Sequence, residues 1–236
     1  MLQRRDTQPQ TPLRQAFLDR FAPTQPPEAS SRVCLTRCVH CGARNRIASF
    51  ATAVSATCGR CGSKLPPPEP RVGRALLCDV SASMGEPAGR LRRIDVLRAV
   101  LDRLGDVLSD PSTTLMAFSS RPTVCRDAAD LPGPSGSTDL DAAFRHDGMQ
   151  RMTHVVVLSD GYPDDPAAAL QAARSNGAPV DAVYCGSPAD GRGRAFLRKV
   201  AEVTGGRFME ASYDAPNAAH RLTAVTRGLL LGPSRE

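Results

Sequence analysis

The chain has 236 residues, a length that suits one domain of ordinary size with a smaller appendage. No apolar run approaches the roughly 20 residues needed to cross a bilayer, and residues 1–10 are polar, so we expect a soluble, unexported, cytoplasmic protein without membrane contact. The net charge of +6 is uneven: residues 1–72 carry 11 Arg and Lys against 4 Asp and Glu, and the remainder carries 19 against 20. The basic character therefore belongs to the N-terminal part.

Residues 1–32 are rich in Gln, Thr and Pro, and we expect a flexible segment with one short amphipathic helix. Thr11 and Pro12 are typical of a helix start, and the helix would end at Pro23. Its apolar face would consist of Leu13, Ala16, Phe17 and Phe21. About ten residues make a marginal helix alone, so packing within the protein, or no stable structure, is favoured over docking in a partner's groove.

Residues 33–65 contain two Cys-x-x-Cys pairs, Cys38/Cys41 and Cys58/Cys61, separated by 16 residues. Each pair presents two thiolates from a tight turn, and four sulfur ligands are typical of a closed structural Zn2+ site. The segment resembles a zinc ribbon. Disulfides are disfavoured without a secretion signal, and a redox pair usually belongs to a larger α/β domain. Cys34 could replace one ligand, although the symmetric quartet is simpler.

The basic side chains of the ribbon indicate a second use, contact with a polyanion such as nucleic acid. They are Arg37, Arg44, Arg46, Arg60 and Lys64. No aromatic side chains interleave with them, so base stacking is poorly supported. Exposed arginines that only keep a small module soluble are the simpler interpretation.

Residues 66–71 form a Pro-rich linker, and strands and helices alternate over residues 72–232. This alternation predicts an α/β fold: a doubly wound, mostly parallel central sheet with helices on both faces. The predicted strands are residues 74–79, 114–118, 123–126, 154–158, 180–185 and 207–211. The predicted helices are residues 89–108, a segment after Thr138, and residues 166–175, 193–204 and 215–231.

Oxygen ligands follow the strands of this domain. Asp79, Ser81 and Ser83 alternate at the end of the first strand, so their side chains can converge on one hard cation. Thr138 opens a predicted helix, and Asp160 follows the Val-rich strand. Ligands of such sheets bind at the carboxyl ends of strands, and the absence of sulfur and imidazole favours Mg2+ or Mn2+ over zinc.

This combination resembles the metal-ion-dependent adhesion site of the von Willebrand factor A (vWA) family, in which an Asp-x-Ser-x-Ser loop, a later Thr and a later Asp surround one divalent ion. The resemblance covers residues 72–231 and all five positions. It implies a vWA/Rossmann-like fold, Mg2+ or Mn2+ as cofactor, and a protein partner whose Asp or Glu carboxylate completes the coordination. Family analogy adds an AAA+ ATPase or a bacterial stress or defence component as partner.

The sequence thus predicts a non-enzymatic adaptor that combines a metal-dependent vWA domain with a zinc ribbon. Two other functions stay open, a nucleic-acid-binding protein using the ribbon and a metal-dependent hydrolase. Catalysis is disfavoured because the four His residues are scattered and neither Ser81 nor Ser83 has an evident base. His154 lies on the strand leading to Asp160, but at its opposite end.

Overall fold

The computed structural model describes residues 34–47, 56–65 and 73–232. The strands, in chain order, are β1 (Cys34–Arg37), β2 (Arg44–Ile47), β3 (Gly73–Asp79), β4 (Pro87–Ala88), β5 (Leu91–Arg92), β6 (Thr113–Phe118), β7 (Pro122–Cys125), β8 (Met152–Ser159), β9 (Val180–Tyr184) and β10 (Phe208–Glu210). The α-helices are α1 (Arg93–Arg103), α2 (Gly105–Leu108), α3 (Leu140–Arg145), α4 (Pro166–Asn176), α5 (Gly191–Thr204) and α6 (Ala218–Leu231).

Six strands form the central sheet in the order β10-β9-β8-β3-β6-β7. All neighbours pair in parallel except β7, which is antiparallel to β6 at one edge. The chain moves from β3 to β6 on one side and later returns to β8 on the other side. The order therefore reverses between β3 and β8, and a crevice opens at such a point beyond the carboxyl ends of the strands.

Helices cover both faces of the sheet because successive side chains of its inner strands alternate between two cores. On β3, Leu76 and Cys78 point into the core that contains α1 and α6. Ala75 and Leu77 point into the core that contains α3, α4 and α5. The predicted doubly wound α/β fold with a mostly parallel sheet is confirmed.

The first long helix differs from its prediction. It begins at Arg93 instead of Gly89, because residues 87–92 form the small β4–β5 hairpin, whose turn has Gly89 at φ +63°. Leu91, which lies within the predicted helix, is 54% exposed on this hairpin. The helix also breaks at Leu104, where ψ is 7°.

The other predicted elements occur with end shifts of a few residues. The last helix begins three residues later than predicted, after Asn217, which has a left-handed backbone with φ +57°. The predicted helix of the N-terminal segment and the linker at residues 66–71 lie outside the described residues. Within the described ranges, helices are too short or too polar to cross a bilayer.

Candidate metal centres

Asp79 is the last residue of β3, and Asp160 directly follows β8, so both lie where the strand order of the sheet reverses. The two strands are direct neighbours, with Cys78 paired to Leu158. Both aspartates are buried. The fold itself thus places two carboxylates side by side at the crevice.

The carboxylate of Asp79 is fixed by two hydrogen bonds. The Ser81 backbone N–H donates to Oδ1 at 2.8 Å, and the Ser159 hydroxyl donates to Oδ2 at 2.6 Å. Burial, and secondly the charge of Asp160, raise the pKa of Asp79 to about 6. Among the described residues, no basic side chain forms an ion pair with Asp79.

The two hydroxyls of the first loop connect to Asp160. Ser83 Oγ donates to Asp160 Oδ1 at 2.9 Å, and Ser81 Oγ lies 3.1 Å from Ser83 Oγ. Because the Ser83 proton points to Asp160, its oxygen lone pairs are left to accept from another group or to bind a cation. Asp79, Ser81, Ser83 and Asp160 thus form one connected cluster.

Thr138 lies beside this cluster on a separate loop. A side-chain carbon built on Gly161, the residue after Asp160, would lie 3.8 Å from the Thr138 hydroxyl oxygen. The loop is tied to the first one where the Ala82 N–H donates to the Gly136 carbonyl at 3.1 Å. Gly136 has φ +72°, a backbone that L side chains rarely adopt. The structure therefore brings all five predicted ligands to one edge of the sheet.

The donor set fits a hard divalent cation. Carboxylate and hydroxyl oxygens are the ligand types of Mg2+ and Mn2+, and two buried carboxylates supply the negative charge that such an ion would neutralise. The hydrogen bonds already described hold these oxygens in place before any ion binds.

Two residues of this site were missed by the sequence analysis. Ser159, which holds Asp79, could have been found because it immediately precedes Asp160 at the end of β8. Arg93 lies with Nη1 2.6 Å from Asp160 Oδ2 and 2.9 Å from Glu86 Oε2. The sequence offered no signal for it, because the predicted helix placed Arg93 within its first turns instead of at its first residue.

The acidic residues around the crevice mostly have structural partners. Asp139 accepts a hydrogen bond from the Ala142 N–H and caps α3, and Asp165 caps α4 through the Ala168 N–H. Asp141 pairs with Arg145 at 3.0 Å. These contacts give Asp139 and Asp165 a helix-capping role.

The histidine on β8 lies far from the crevice. His154 Nε2 is 3.0 Å from Asp181 Oδ2, near the beginning of the strand that ends before Asp160. Among the described contacts, no histidine joins the oxygen cluster. The described residues thus place no imidazole base beside Ser81 or Ser83.

The four predicted ribbon cysteines come together. Their Sγ atoms lie within 4.8 Å of one another, with 3.6 Å for both Cys38–Cys61 and Cys41–Cys58. The Arg60 N–H donates to Cys58 Sγ at 3.4 Å and, with the Cys61 N–H and the Asn45 amide, lowers the pKa of Cys58 to about 6. The spacing of the four sulfur atoms fits a tetrahedral ion with sulfur ligands.

Both knuckles have the same backbone. The N–H of each following glycine donates to the carbonyl of the first cysteine of its pair at 2.9 Å, and Gly42 and Gly62 have φ of +69° and +72°. His40 is exposed outside the cluster. The side chain of Cys34 lies outside the described part of the chain. Cys78, Cys125 and Cys185 are buried free thiols in the larger domain.

The basic ribbon residues are partly engaged by the larger domain. Asp147 Oδ1 lies 3.0 Å from Arg44 Nη2 and 3.6 Å from Arg37 Nη2. Arg60 and Lys64 are exposed, and nothing is described of the Arg46 side chain. The ribbon face that contains Arg37 and Arg44 therefore already has an acidic partner within the chain.

Comparison with solved structures identifies similar folds. An aerotolerance-related membrane protein from Bacteroides fragilis has 16% identity and a TM-score of 0.50, over 67% of this chain and 98% of its own. The pilus adhesin SpaC from Lactobacillus rhamnosus GG has 13% identity and a TM-score of 0.51, over 67% of this chain and 30% of its own. The vWF domain of the pilus tip protein Mfa5 from Porphyromonas gingivalis has 12% identity and a TM-score of 0.48, over 68% of this chain and 96% of its own.

No protein-family model and no curated protein matches the sequence. Identities below 20% leave the fold as the shared property. The parallel sheet, its strand order and the helices on both faces agree with these neighbours. Residues 73–232 therefore have the mostly parallel α/β fold that the resemblance to the von Willebrand factor A family predicts, and a cluster of four cysteines that could hold a metal ion precedes them.

Proposed function

We propose that this protein is a non-enzymatic adaptor whose vWA domain binds a protein partner through a divalent cation, Mg2+ or Mn2+. Its ligands are the five oxygen residues of the crevice, Asp79, Ser81, Ser83, Thr138 and Asp160. When bound, the ion supplies an open coordination position for an Asp or Glu carboxylate of the partner. The vWA fold, which the neighbouring adhesin and pilus proteins share, supports a role in protein binding.

The observation that carries the proposal is a pair of adjacent buried carboxylates whose negative charge the single guanidinium of Arg93 compensates only in part. Asp79 and Asp160 lie at the ligand-binding edge of the sheet, and the pKa of Asp79 is raised to about 6 by burial and by Asp160. A structural ion pair would lower the pKa of an aspartate instead. Groups with such a shift in a crevice are typical of functional sites.

The serines orient these carboxylates. Ser159 and the Ser81 N–H use one lone pair of each Asp79 oxygen, so the remaining lone pairs are left for the cation. Ser83 does the same for Asp160 Oδ1. Such hydrogen bonds fix ligand orientation and raise metal affinity.

In the same proposal, the four cysteines hold one structural Zn2+, and the ribbon acts as a second interaction module. We place the protein in the cytoplasm, where free thiols stay reduced. An AAA+ ATPase or a stress or defence component is the partner suggested by the family resemblance alone. Contact with nucleic acid is less favoured, because Asp147 already pairs with Arg37 and Arg44.

The test is a Mg2+ titration of the full-length chain by calorimetry, with Asp79→Ala and the control Asp102→Ala. Asp102 is exposed on α1. We expect Asp79→Ala to abolish Mg2+ binding while its circular dichroism spectrum stays that of the wild type, and Asp102→Ala to bind normally. Wild type and Asp102→Ala should capture partners from the native cell when Mg2+ is present. Asp79→Ala should capture none, and removal of Mg2+ should abolish capture by all three proteins.

Wild-type protein that binds no Mg2+, or an Asp79→Ala variant that binds it unchanged, would contradict the metal site. Partner capture that survives in Asp79→Ala would contradict the metal bridge. Hydrolytic turnover that disappears in Asp79→Ala and in Asp160→Ala would instead support the metal-dependent hydrolase. Ribbon-dependent binding of nucleic acid, steeply weakened by salt, would support the polyanion contact.

A further inference from the structure

Arg93 is a cation built into the crevice. As the first residue of α1, it places Nη1 2.6 Å from Asp160 Oδ2, with its side chain only 12% exposed and that of Asp160 fully buried. The same Nη1 lies 3.5 Å from the Ser83 carbonyl. Arg93 Nε is buried without a hydrogen-bond partner among the described residues. The described hydrogen bonds and ion pairs of the guanidinium therefore all involve Nη1.

Each carboxylate oxygen of Asp160 has one hydrogen-bond donor without an ion. Oδ1 accepts from Ser83 Oγ, and Oδ2 accepts from Arg93 Nη1. Against the two buried carboxylates of the crevice, Arg93 supplies one positive charge. A divalent cation at the same oxygens would face this guanidinium at short range, and like charges at short range repel strongly in a buried site.

A second acceptor is available to the displaced guanidinium. Glu86 Oε2 lies 2.9 Å from Arg93 Nη1, and its side chain is 58% exposed at the mouth of the crevice. The Arg93 backbone is anchored to the same residue, because its N–H donates to the Glu86 carbonyl at 3.1 Å. Because Nη1 already contacts both carboxylates, a small rotation of the side chain can break the contact with Asp160 and keep the contact with Glu86 without moving α1.

We propose that Arg93 is a tethered counter-ion that competes with the divalent metal for Asp160, and that Glu86 retains its guanidinium when the metal binds. The inference rests on the proposed metal site and assigns its affinity control to two residues outside the ligand set. Arg93 stabilises the ion-free crevice and keeps metal affinity low. The site therefore fills and empties more readily than two buried carboxylates alone would allow.

Calorimetric titration of the full-length chain with Mg2+ tests this arrangement. Arg93→Met keeps much of the aliphatic volume and removes the charge, so its Kd should fall by about tenfold or more relative to wild type. Arg93→Lys keeps the charge and should stay within about threefold of wild type. Arg90→Met removes an exposed charge in the β4–β5 turn, and the Kd should change by less than about twofold because solvent screens it.

Glu86→Gln separates the competition from a direct effect of the Glu86 charge on the metal. In the wild-type background it should raise the Kd about two- to fivefold, since the guanidinium loses its alternative partner. In the Arg93→Met background, Glu86→Gln should leave the Kd for Mg2+ unchanged.

A second readout is the melting temperature, followed by circular dichroism because the chain lacks Trp. In Mg2+-free buffer, without chelators that would strip the ribbon, Arg93→Met should melt below wild type and gain more on addition of Mg2+.

An Arg93→Met Kd equal to or weaker than that of wild type overturns the counter-ion, while Mg2+ binding lost in Asp79→Ala would still support the metal site. If Arg93→Met does not fold, Glu86→Gln decides, and an unchanged Kd there overturns the proposal. An equal effect of Glu86→Gln in both backgrounds also overturns it. Binding to Arg93→Met alone supports the counter-ion and contradicts the proposed function, whereas binding to neither protein contradicts both.

Discussion

Asp181 is a buried carboxylate on β9 that we expect to contribute strongly to the stability of the domain. Its Oδ1 accepts from the Arg207 N–H at 2.6 Å, and its Oδ2 accepts from Arg207 Nη2 at 2.7 Å and lies 3.0 Å from His154 Nε2. Burial alone would raise its pKa, but the hydrogen bonds to His154 and Arg207 outweigh burial and lower it to about 2. The perturbation is Asp181→Asn, which keeps the shape and removes the charge.

The magnitude follows from the pKa. A carboxyl lowered from 3.8 to about 2 on folding stabilises the native state by about 2 kcal/mol above pH 5. Because the folded pKa is the lower one, this stability is complete above the unfolded pKa and is lost as the pH falls. The contribution should fall to about 1 kcal/mol at pH 3 and vanish below pH 2. Asp181→Asn should therefore lower the free energy of unfolding at pH 7 and progressively less in acid.

The assay is urea unfolding followed by circular dichroism at pH 7, 5 and 3. Acid also protonates the ribbon thiolates, but this effect is common to both proteins and cancels in their difference. Asp147→Asn is the matched control, because Asp147 also accepts two cations but is 71% exposed. The control should change stability by less than about 0.5 kcal/mol. The reasoning would be refuted if Asp181→Asn lowered the free energy of unfolding by less than about 0.5 kcal/mol at pH 7. It would also be refuted if this loss did not become smaller at pH 3.

Three further predictions concern the site, the ribbon and the sheet. Ser159→Ala should weaken Mg2+ binding about 10- to 100-fold by calorimetry, since the ligand carboxylate loses its orienting donor; unchanged affinity would contradict this role. Cys58→Ser should abolish stoichiometric zinc, measured by elemental analysis, while the buried control Cys125→Ser retains it. Gly206→Ala would press its new carbon against the β9 backbone and should cost about 3 kcal/mol of unfolding free energy or more. Gly105→Ala, with open space around it, should change that free energy by less than about 1 kcal/mol.

The fold could be predicted because apolar periodicity and strand-end residues are local signals. The run before Asp160 predicts a buried strand by composition alone, and its parallel pairing follows from the helices on either side. The start of α1 was wrong for an equally local reason. A helical apolar pattern over residues 89–92 competes with a glycine turn, and Gly89 at positive φ closes a hairpin that periodicity does not detect.

The candidate ligands were accessible from sequence because each one ends a strand or begins a helix, and the fold gathers such positions at one edge. The cysteine pairs were accessible through their spacing. The pKa shift and the hydrogen bonds of the crevice could not be predicted from such local sequence signals. The pKa of Asp79 depends on burial by helices distant in sequence, and Ser159 reaches it only because β3 and β8 are adjacent.

Arg93 shows why charge balance has to be worked out in the folded protein. Two carboxylates at the end of neighbouring strands repel each other whenever the ion is absent, so an ion-free domain needs either a raised pKa or an internal cation. This crevice has both, a raised pKa at Asp79 and a guanidinium on Asp160. A sequence motif identifies the groups that attract the metal, but the group that opposes it is selected by where α1 begins. Under the proposed competition, the metal affinity of the site depends on the β4–β5 hairpin, which sets where α1 begins, as well as on the ligands themselves.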